Sequence, residues 1–484
     1  MPAPRATITP PVPEVFPRAP TTPMNDWMDA ESHIDRAHQF FENGRWADAE
    51  SALREAIAIN PERAEWHFNL GLTLEAAGRF EDAAKALADC HQLQEDDPQV
   101  LILIGVNLLR AGKPREAIPH LEAAERIDAH NGASFVNRVD AYQRLGDHEQ
   151  AEVMFYMAQQ CDPKNPDAYV FLADSLLARN LHDKAVWCLR EAANLDSGLP
   201  GIHARLAGAY AATGRLERAR QLFLRELRND PGDIATLLDL GCLLVTMNRF
   251  PEAGEKFRRV LELETDHPEA HFYIADLSER QGQQASAMEQ FGVVLRLDPQ
   301  FAPARRRMAA LLLYRAKPGD AEAAGELLQQ ELDDFKQFAD RYPPDDLADL
   351  GRTLLQAAML PQARLVLQRL AEARPADPGA LHLLSVAMYE LGEREQGIVT
   401  CRSVLKIDPK FVPAMHNIAV ACVYDGQWSK ARYWVHQALL VDPDDAALRH
   451  LRVKLRLHSL MEAVVWAFAP VRWAMAPRRR TGSN

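Results

Sequence analysis

Two histidines four residues apart flank a carboxylate in the stretch HPEAH, His267 to His271. On one continuous helix that spacing puts both imidazoles on the same face, as a zinc site of the H-E-x-x-H type requires. Pro268 argues against this, because a proline disfavours helical geometry at the residue before it. His267 is therefore expected outside the helix that carries His271, and no metal site is expected there. The chain contains no G-x-G-x-x-G, no G-x-x-x-x-G-K-[ST] and no G-x-S-x-G. Its six cysteines, Cys90, Cys161, Cys188, Cys242, Cys401 and Cys422, include no C-x-x-C pair. They read as reduced, buried thiols of a cytoplasmic protein, with neither a disulfide framework nor a zinc set. No cofactor and no enzymatic activity are expected.

A second set of residues points to binding. Asp140, Asp174, Asp239 and Asp276 recur near multiples of one spacing, accompanied by Val136, Val170, Leu238 and Phe272. Acids interleaved with apolar side chains can receive an extended basic and apolar peptide, or they can be an ordinary solvated helix face. Deciding between these needs the elements that carry them.

Those elements repeat. Laying HPEAHFYIADLSERQGQQASAMEQFGVVLRLDP over AEWHFNLGLTLEAAGRFEDAAKALADCHQL and VPAMHNIAVACVYDGQWSKARYWVHQALLVDP aligns a small residue at the eighth place, a turn residue at the fifteenth and alanine at the twentieth. The eighth place holds Gly71, Gly105, Gly241, Gly351 and Ser385 among others. A small residue there lets the first helix of each copy approach the second, and the twentieth place, for example Ala151, is expected to be its partner. Gly44, Gly78, Gly112, Gly146, Gly214, Gly282, Gly392 and Gly426 at the fifteenth, with Asn180 and Asn248, suit a left-handed residue ending the first helix. Prolines such as Pro61, Pro163 and Pro231 stop the second helix.

This pattern resembles the tetratricopeptide repeat, a helix-turn-helix unit of 34 residues. The resemblance implies an all-α fold, a right-handed α-α superhelix, with about twelve copies over residues 30–445 and a longer, atypical copy at 302–343. Residues 1–29 form a Pro-rich tail expected to be disordered, and residues 446–484 a capping helix followed by a basic and aromatic tail. In the family the wall lined by first helices is the usual peptide-binding surface, so the implied function is a protein-interaction scaffold or adaptor. Asp140, Asp174, Asp239, Asp276, Val136, Val170, Leu238 and Phe272 fall on that wall.

Two chemistries known in the family do not carry over. The carboxylate clamp of chaperone-docking members needs cations beside an asparagine, and Asn137 has Ile102, Val106, Asp167 and Phe171 around it. The repeats are similar to those of O-linked N-acetylglucosamine transferase, yet only Asn69, Asn137 and Asn417 match its asparagine ladder, and no catalytic domain accompanies them. Arg305, Arg306 and Arg307 interrupt the acidic pattern.

Charge divides the chain. The net charge is −13, and from Ala446 onward eight Lys/Arg face one acid, Glu462, leaving −20 on the body and +7 on the tail. An acidic body argues against nucleic acid and favours protein partners. The segment from Leu457 to Met475 is apolar and aromatic, but Glu462 and Arg472 would each cost about 2.5 to 3.5 kcal/mol near a bilayer centre, and Pro470 interrupts the helix. Trp466 and Trp473 with Arg478, Arg479 and Arg480 could instead meet a membrane surface or a partner. The alternatives to a scaffold are a peripheral-membrane adaptor held by this segment and a non-catalytic targeting subunit of an enzyme such as a glycosyltransferase.

Overall fold

The computed structural model describes residues 26–474, with side chains from residue 30 to 460 apart from residue 341. Every regular element among them is helical, and the helices alternate as first and second members of antiparallel pairs from Asp26 to Val441. A long helix, Ala446–Ala474, follows. The chain divides into two compact units, Met1–Thr265 and Asp266–Asn484.

Local sequence explains the punctuation. Asp97, Asn131, Asn165, Asp233 and Asp377 cap first helices by accepting the backbone N–H two residues on. Prolines at the first helical turn, Pro98, Pro166, Pro268, Pro344 and Pro378, cost nothing because that N–H has no intrahelical partner. The first helices end in the left-handed region at the fifteenth place. Gly78 has φ 76° and Asn180 φ 58°, and Ala316 and Ala358 take the same turn at φ 50° and 55° without glycine's freedom.

Within each pair the alanines of the twentieth place, Ala49, Ala83, Ala117, Ala151, Ala185, Ala219, Ala253 and Ala287 among them, are fully buried. The eighth place meets a different residue from the one expected. A Cβ added at Gly105 would lie 2.6 Å from Leu121 Cδ2, and at Gly71 2.6 Å from Leu87 Cγ, both side chains of the twenty-fourth place. The twentieth contributes its backbone, Ala83 O at 3.4 Å from the same Gly71 position. Sixteen residues separate the two positions that interlock, so one large side chain per pair occupies the space the glycine leaves.

In the second unit, the longer copy consists of Ala302–Arg315 and Asp320–Phe338, closed by a 3-10 turn at Ala339–Arg341. Two of its three adjacent arginines, Arg305 and Arg306, are buried. Arg306 Nη1 donates to Glu331 Oε1 at 2.5 Å and Nη2 to Asp346 Oδ1 at 2.9 Å, while Arg305 donates to Asp334 Oδ2 and to Pro299 O. At the end of the same unit Leu448 and Leu455 are buried with Met415, Ile418 and Val435 of the last pair. Trp428 stacks on His458 at 3.7 Å, and Arg432 donates to Ser459 Oγ.

Candidate functional site

The first helices carry the binding residues expected from sequence, and in the first unit they lean directly on one another. The fifth, sixth and ninth places of Pro98–Arg110, Gly132–Leu145 and Pro166–Ala178 supply Ile102, Leu103, Val106, Val136, Asn137, Val170 and Phe171, all buried. Val136, Val170 and Leu238 are thus part of the packed interior, where no partner side chain can reach them without repacking. Phe272, in the second unit, is half-buried against Phe291 and Phe301.

The aspartates meet arginines of the chain itself. Asp140 is 0 % exposed, and Arg144 Nε donates to its Oδ1 at 2.9 Å, with Nη2 2.7 Å from Oδ2 and Nη1 donating to Leu109 O at 2.6 Å. Asp174 accepts from Arg205 Nη1 with both oxygens at 3.0 Å. Asp276 accepts from Arg280 Nε and Arg307 Nη2, each at 2.6 Å. Nearer the start of the array, Glu75 accepts from Arg110 at 2.6 Å and from Asn107 at 3.0 Å. Asp239 is exposed.

The wall is therefore braced from within. Charge-assisted bonds tie successive first helices together and neutralise most of the acids. The cations were the part that sequence reasoning missed, although a signal was present. An acid at the ninth place of one copy and an arginine at the sixth of the next lie 31 residues apart, and Asp174 with Arg205 and Asp276 with Arg307 share that interval. Where the sixth place is Phe171, Asp140 turns to Arg144 on its own helix.

A more open stretch of first-helix face lies near the end of the second unit. On Pro378–Glu390 and Val412–Tyr424 the same places hold His382, Leu383, Val386, His416, Asn417 and Val420, all half-buried rather than buried. Burial holds the His382 imidazole below its usual range, and His416 adds to this, so the ring is neutral near pH 7. The wall here mixes neutral polar and aliphatic groups.

The two histidines of the opening stretch serve the fold. His267 has extended backbone and caps the Pro268–Arg280 helix by accepting from Ala270 N–H, and His271 Nδ1 lies 2.9 Å from Gln290 Oε1. Among the described residues no group of three potential metal ligands occurs. Four of the six cysteines are buried, while Cys161 and Cys242 are half-buried. Burial pushes Cys90 up to about 11 and Cys188 up to about 12, which leaves both as unreactive thiols. No helix among the described residues is long and apolar enough to cross a membrane. Trp466 and Trp473 lie on the Ala446–Ala474 helix beyond the described side chains, and Arg478, Arg479 and Arg480 lie outside the described residues.

Comparison with known proteins agrees with the fold. The sequence pattern of the family described as Tetratricopeptide repeat matches residues 34–98, 102–166, 172–234 and 238–302, just over half of the chain. Superkiller complex protein 3 of Mus musculus is 22% identical over 291 residues, 60% of this chain and 17% of that protein. TPR repeat-containing protein YpiA of Bacillus subtilis (strain 168) is 23% identical over 248 residues, 50% of this chain and 57% of that protein. The chain spans less than two thirds of the length of either. The crystal structure of the APC/C hetero-tetramer Cut9-Hcn1 is 13% identical, covering 88% of this chain and 96% of that one with a TM-score of 0.43. With its periodic helix pairs and these four matches, the chain belongs to the tetratricopeptide-repeat family.

Proposed function

We infer that this protein is a protein-interaction scaffold that docks a segment of a partner against its first helices. Proteins built from these repeats generally act as non-catalytic scaffolds for protein interactions. The observation that carries the reading is the contrast along the first-helix face. From Ile102 to Phe171 the fifth and sixth places are buried, whereas His382, Leu383, Val386, His416, Asn417 and Val420 remain half-accessible as a neutral, partly apolar strip. Such a strip suits an extended or helical segment with aliphatic side chains and few charges. Asp140, Asp174 and Asp276 then act as positioning residues that hold the helices. Affinity purification with cross-linking identifies the partner, and the double variant Val386→Asp and Val420→Asp tests the surface. Partner binding should drop while the thermal midpoint moves little. Unaltered binding by this variant would refute the docking strip.

One observation favours a second reading, a peripheral-membrane adaptor. On the Ala446–Ala474 helix Val453, Leu457 and Leu460 are exposed, on a different face from the packed Leu448 and Leu455. An apolar stripe beside Arg452 and Arg456 is what an interfacial helix needs. Sedimentation with anionic liposomes, lost on truncation after Arg456, would establish it, and absence from the liposome pellet would dismiss it.

A further inference from the structure

The face formed by the second helices of the first unit carries a different chemistry. Between His182–Leu195, Ile202–Ala212 and Leu216–Asn229 lies a cleft of about 720 Å³. Its rim holds Arg190, Arg218, Arg225 and Arg228, all exposed, and no carboxylate is among the residues lining it. The floor is His203, Leu206 and Tyr210, all buried. In a chain of net charge −13, whose first-helix arginines answer carboxylates, this cluster stands apart. Among the described residues Arg190, Arg225 and Arg228 come within ion-pair distance of no carboxylate, and Arg218 lies over the Tyr210 ring at 5.9 Å.

Sequence explains why the cleft forms at this copy. The connection before Ile202–Ala212 runs through Ser197, Gly198, Leu199 and Pro200 to Gly201, whose φ of +69° turns the chain late into a helix of only 11 residues. The following helix, Leu216–Asn229, then brings Arg218, Arg225 and Arg228 to the rim, and the preceding second helix, His182–Leu195, supplies Arg190. Behind the floor, Glu226 is buried, accepting from Gly201 N–H at 3.3 Å with its other oxygen 3.5 Å from His203 Nδ1. Burial, reinforced by Arg225, holds His203 below its usual range, so the floor is neutral near pH 7 and the rim arginines supply the charge.

The cationic rim continues. A second cleft of about 520 Å³ shares Arg228 and adds Lys256 and Arg258 from the next second helix, Phe250–Leu263, together with Glu255 and the ion-paired Arg259 and Glu262.

We propose that this cleft is a docking site for an acidic peptide segment, with Arg190, Arg225 and Arg228 pairing to Asp or Glu side chains and an apolar side chain seated over Leu206 and Tyr210. Arginine forks bind carboxylates two-handedly, and an exposed arginine without a partner gives up no existing bond when a ligand arrives. A volume of this size takes one large side chain with its neighbours, within the range usual for specific sites. The acidic remainder of the chain repels a long polyphosphate, whereas a short acidic segment meets only the cleft. The proposal rests on the scaffold reading only in taking a protein as the ligand; the cleft belongs to the first unit and the docking strip to the second.

The test uses the full chain and a synthetic ten-residue peptide rich in glutamate with one central phenylalanine. Binding is compared with the triple variant R190Q/R225Q/R228Q, whose three changes remove charge without breaking an ion pair, so its thermal midpoint should match the wild type. The account expects the variant to bind the peptide at least about tenfold more weakly, and wild-type affinity to fall with added salt. A lysine-for-glutamate peptide should not bind. Equal binding by wild type and variant, or no binding by the wild type, overturns the proposal. So does an oligothymidylate that competes as tightly as the peptide, which would make the cleft a polyphosphate site. No peptide binding by the wild type, with partner binding at Val386 and Val420 intact, would refute the cleft alone and leave the scaffold reading standing.

Discussion

At Ala358 the backbone turns through φ 55°, a conformation that eight glycines and two asparagines adopt at the equivalent place of other copies. A Cβ in the left-handed region costs about 1 to 2 kcal/mol, and glycine's extra freedom in the unfolded chain returns part of that. Ala358→Gly is therefore expected to stabilise the protein by about 0.5 to 1 kcal/mol, read as a higher midpoint in chemical denaturation. The reverse holds where a small residue makes room. Gly105→Ala places a Cβ 2.6 Å from Leu121 and should destabilise by about 1 to 3 kcal/mol through overpacking. Periodicity made the turn and the close approach legible where glycine marks them, as at Gly78 and Gly105. Ala316 and Ala358 carried no such mark. The partner of the eighth place was also misassigned, because alanine recurs so regularly at the twentieth that it drew the eye from the larger, more variable twenty-fourth.

Between neighbouring elements the same arginines decide register and stability. Asp174 and Arg205 belong to successive first helices and are half-buried or nearly so, which places them between exposed pairs worth little and buried pairs that are costly to break. A double-mutant cycle with Asp174→Asn and Arg205→Leu should give a coupling of about 1 kcal/mol, and additive losses would mean the pair contributes nothing. Copy nine contains a pH-sensitive version. Glu331 is fully buried, and burial pushes its carboxyl from an ordinary 4.5 up to about 7 although Arg306 draws it down. With the folded-state value raised, the folded protein holds a proton that the unfolded chain has released, so stability falls as pH rises from about 4.5 to about 7. Glu331→Gln removes that titration. The difference in midpoint between wild type and Glu331→Gln should shift against the wild type across this window and level off above it. A difference independent of pH would refute the buried carboxyl's role. Neither pair could be read from the pattern of a regular copy, because Asp174 finds its cation in the next copy and Glu331 finds Arg306 across the inserted turn.

At the scale of the whole chain, the first-helix face is consumed by its own packing from Pro98 to Ala178 of the first unit, whereas a neutral, partly apolar strip near the end of the second unit stays half-accessible. Pro470 was expected to interrupt the final helix, which instead runs on to Ala474. The helical pairs, their order and a capping helix after Ala446 were legible from the sequence. Which part of the wall stays open was not, because burial at the fifth, sixth and ninth places depends on how closely successive first helices lean together. That in turn depends on side-chain volumes from three copies at once. His382 and His416, which the sequence does not single out, stand on the half-accessible strip, whereas Asp140, expected on the groove wall, is buried. The direct test is to place a photo-cross-linking side chain at Leu383, at Val420 and, as comparisons, at Tyr156 and Leu457 of the full chain, and to irradiate the complex with the purified partner. The account predicts partner adducts from Leu383 and Val420. Adducts confined to Leu457 or Tyr156, with the complex intact, would contradict it.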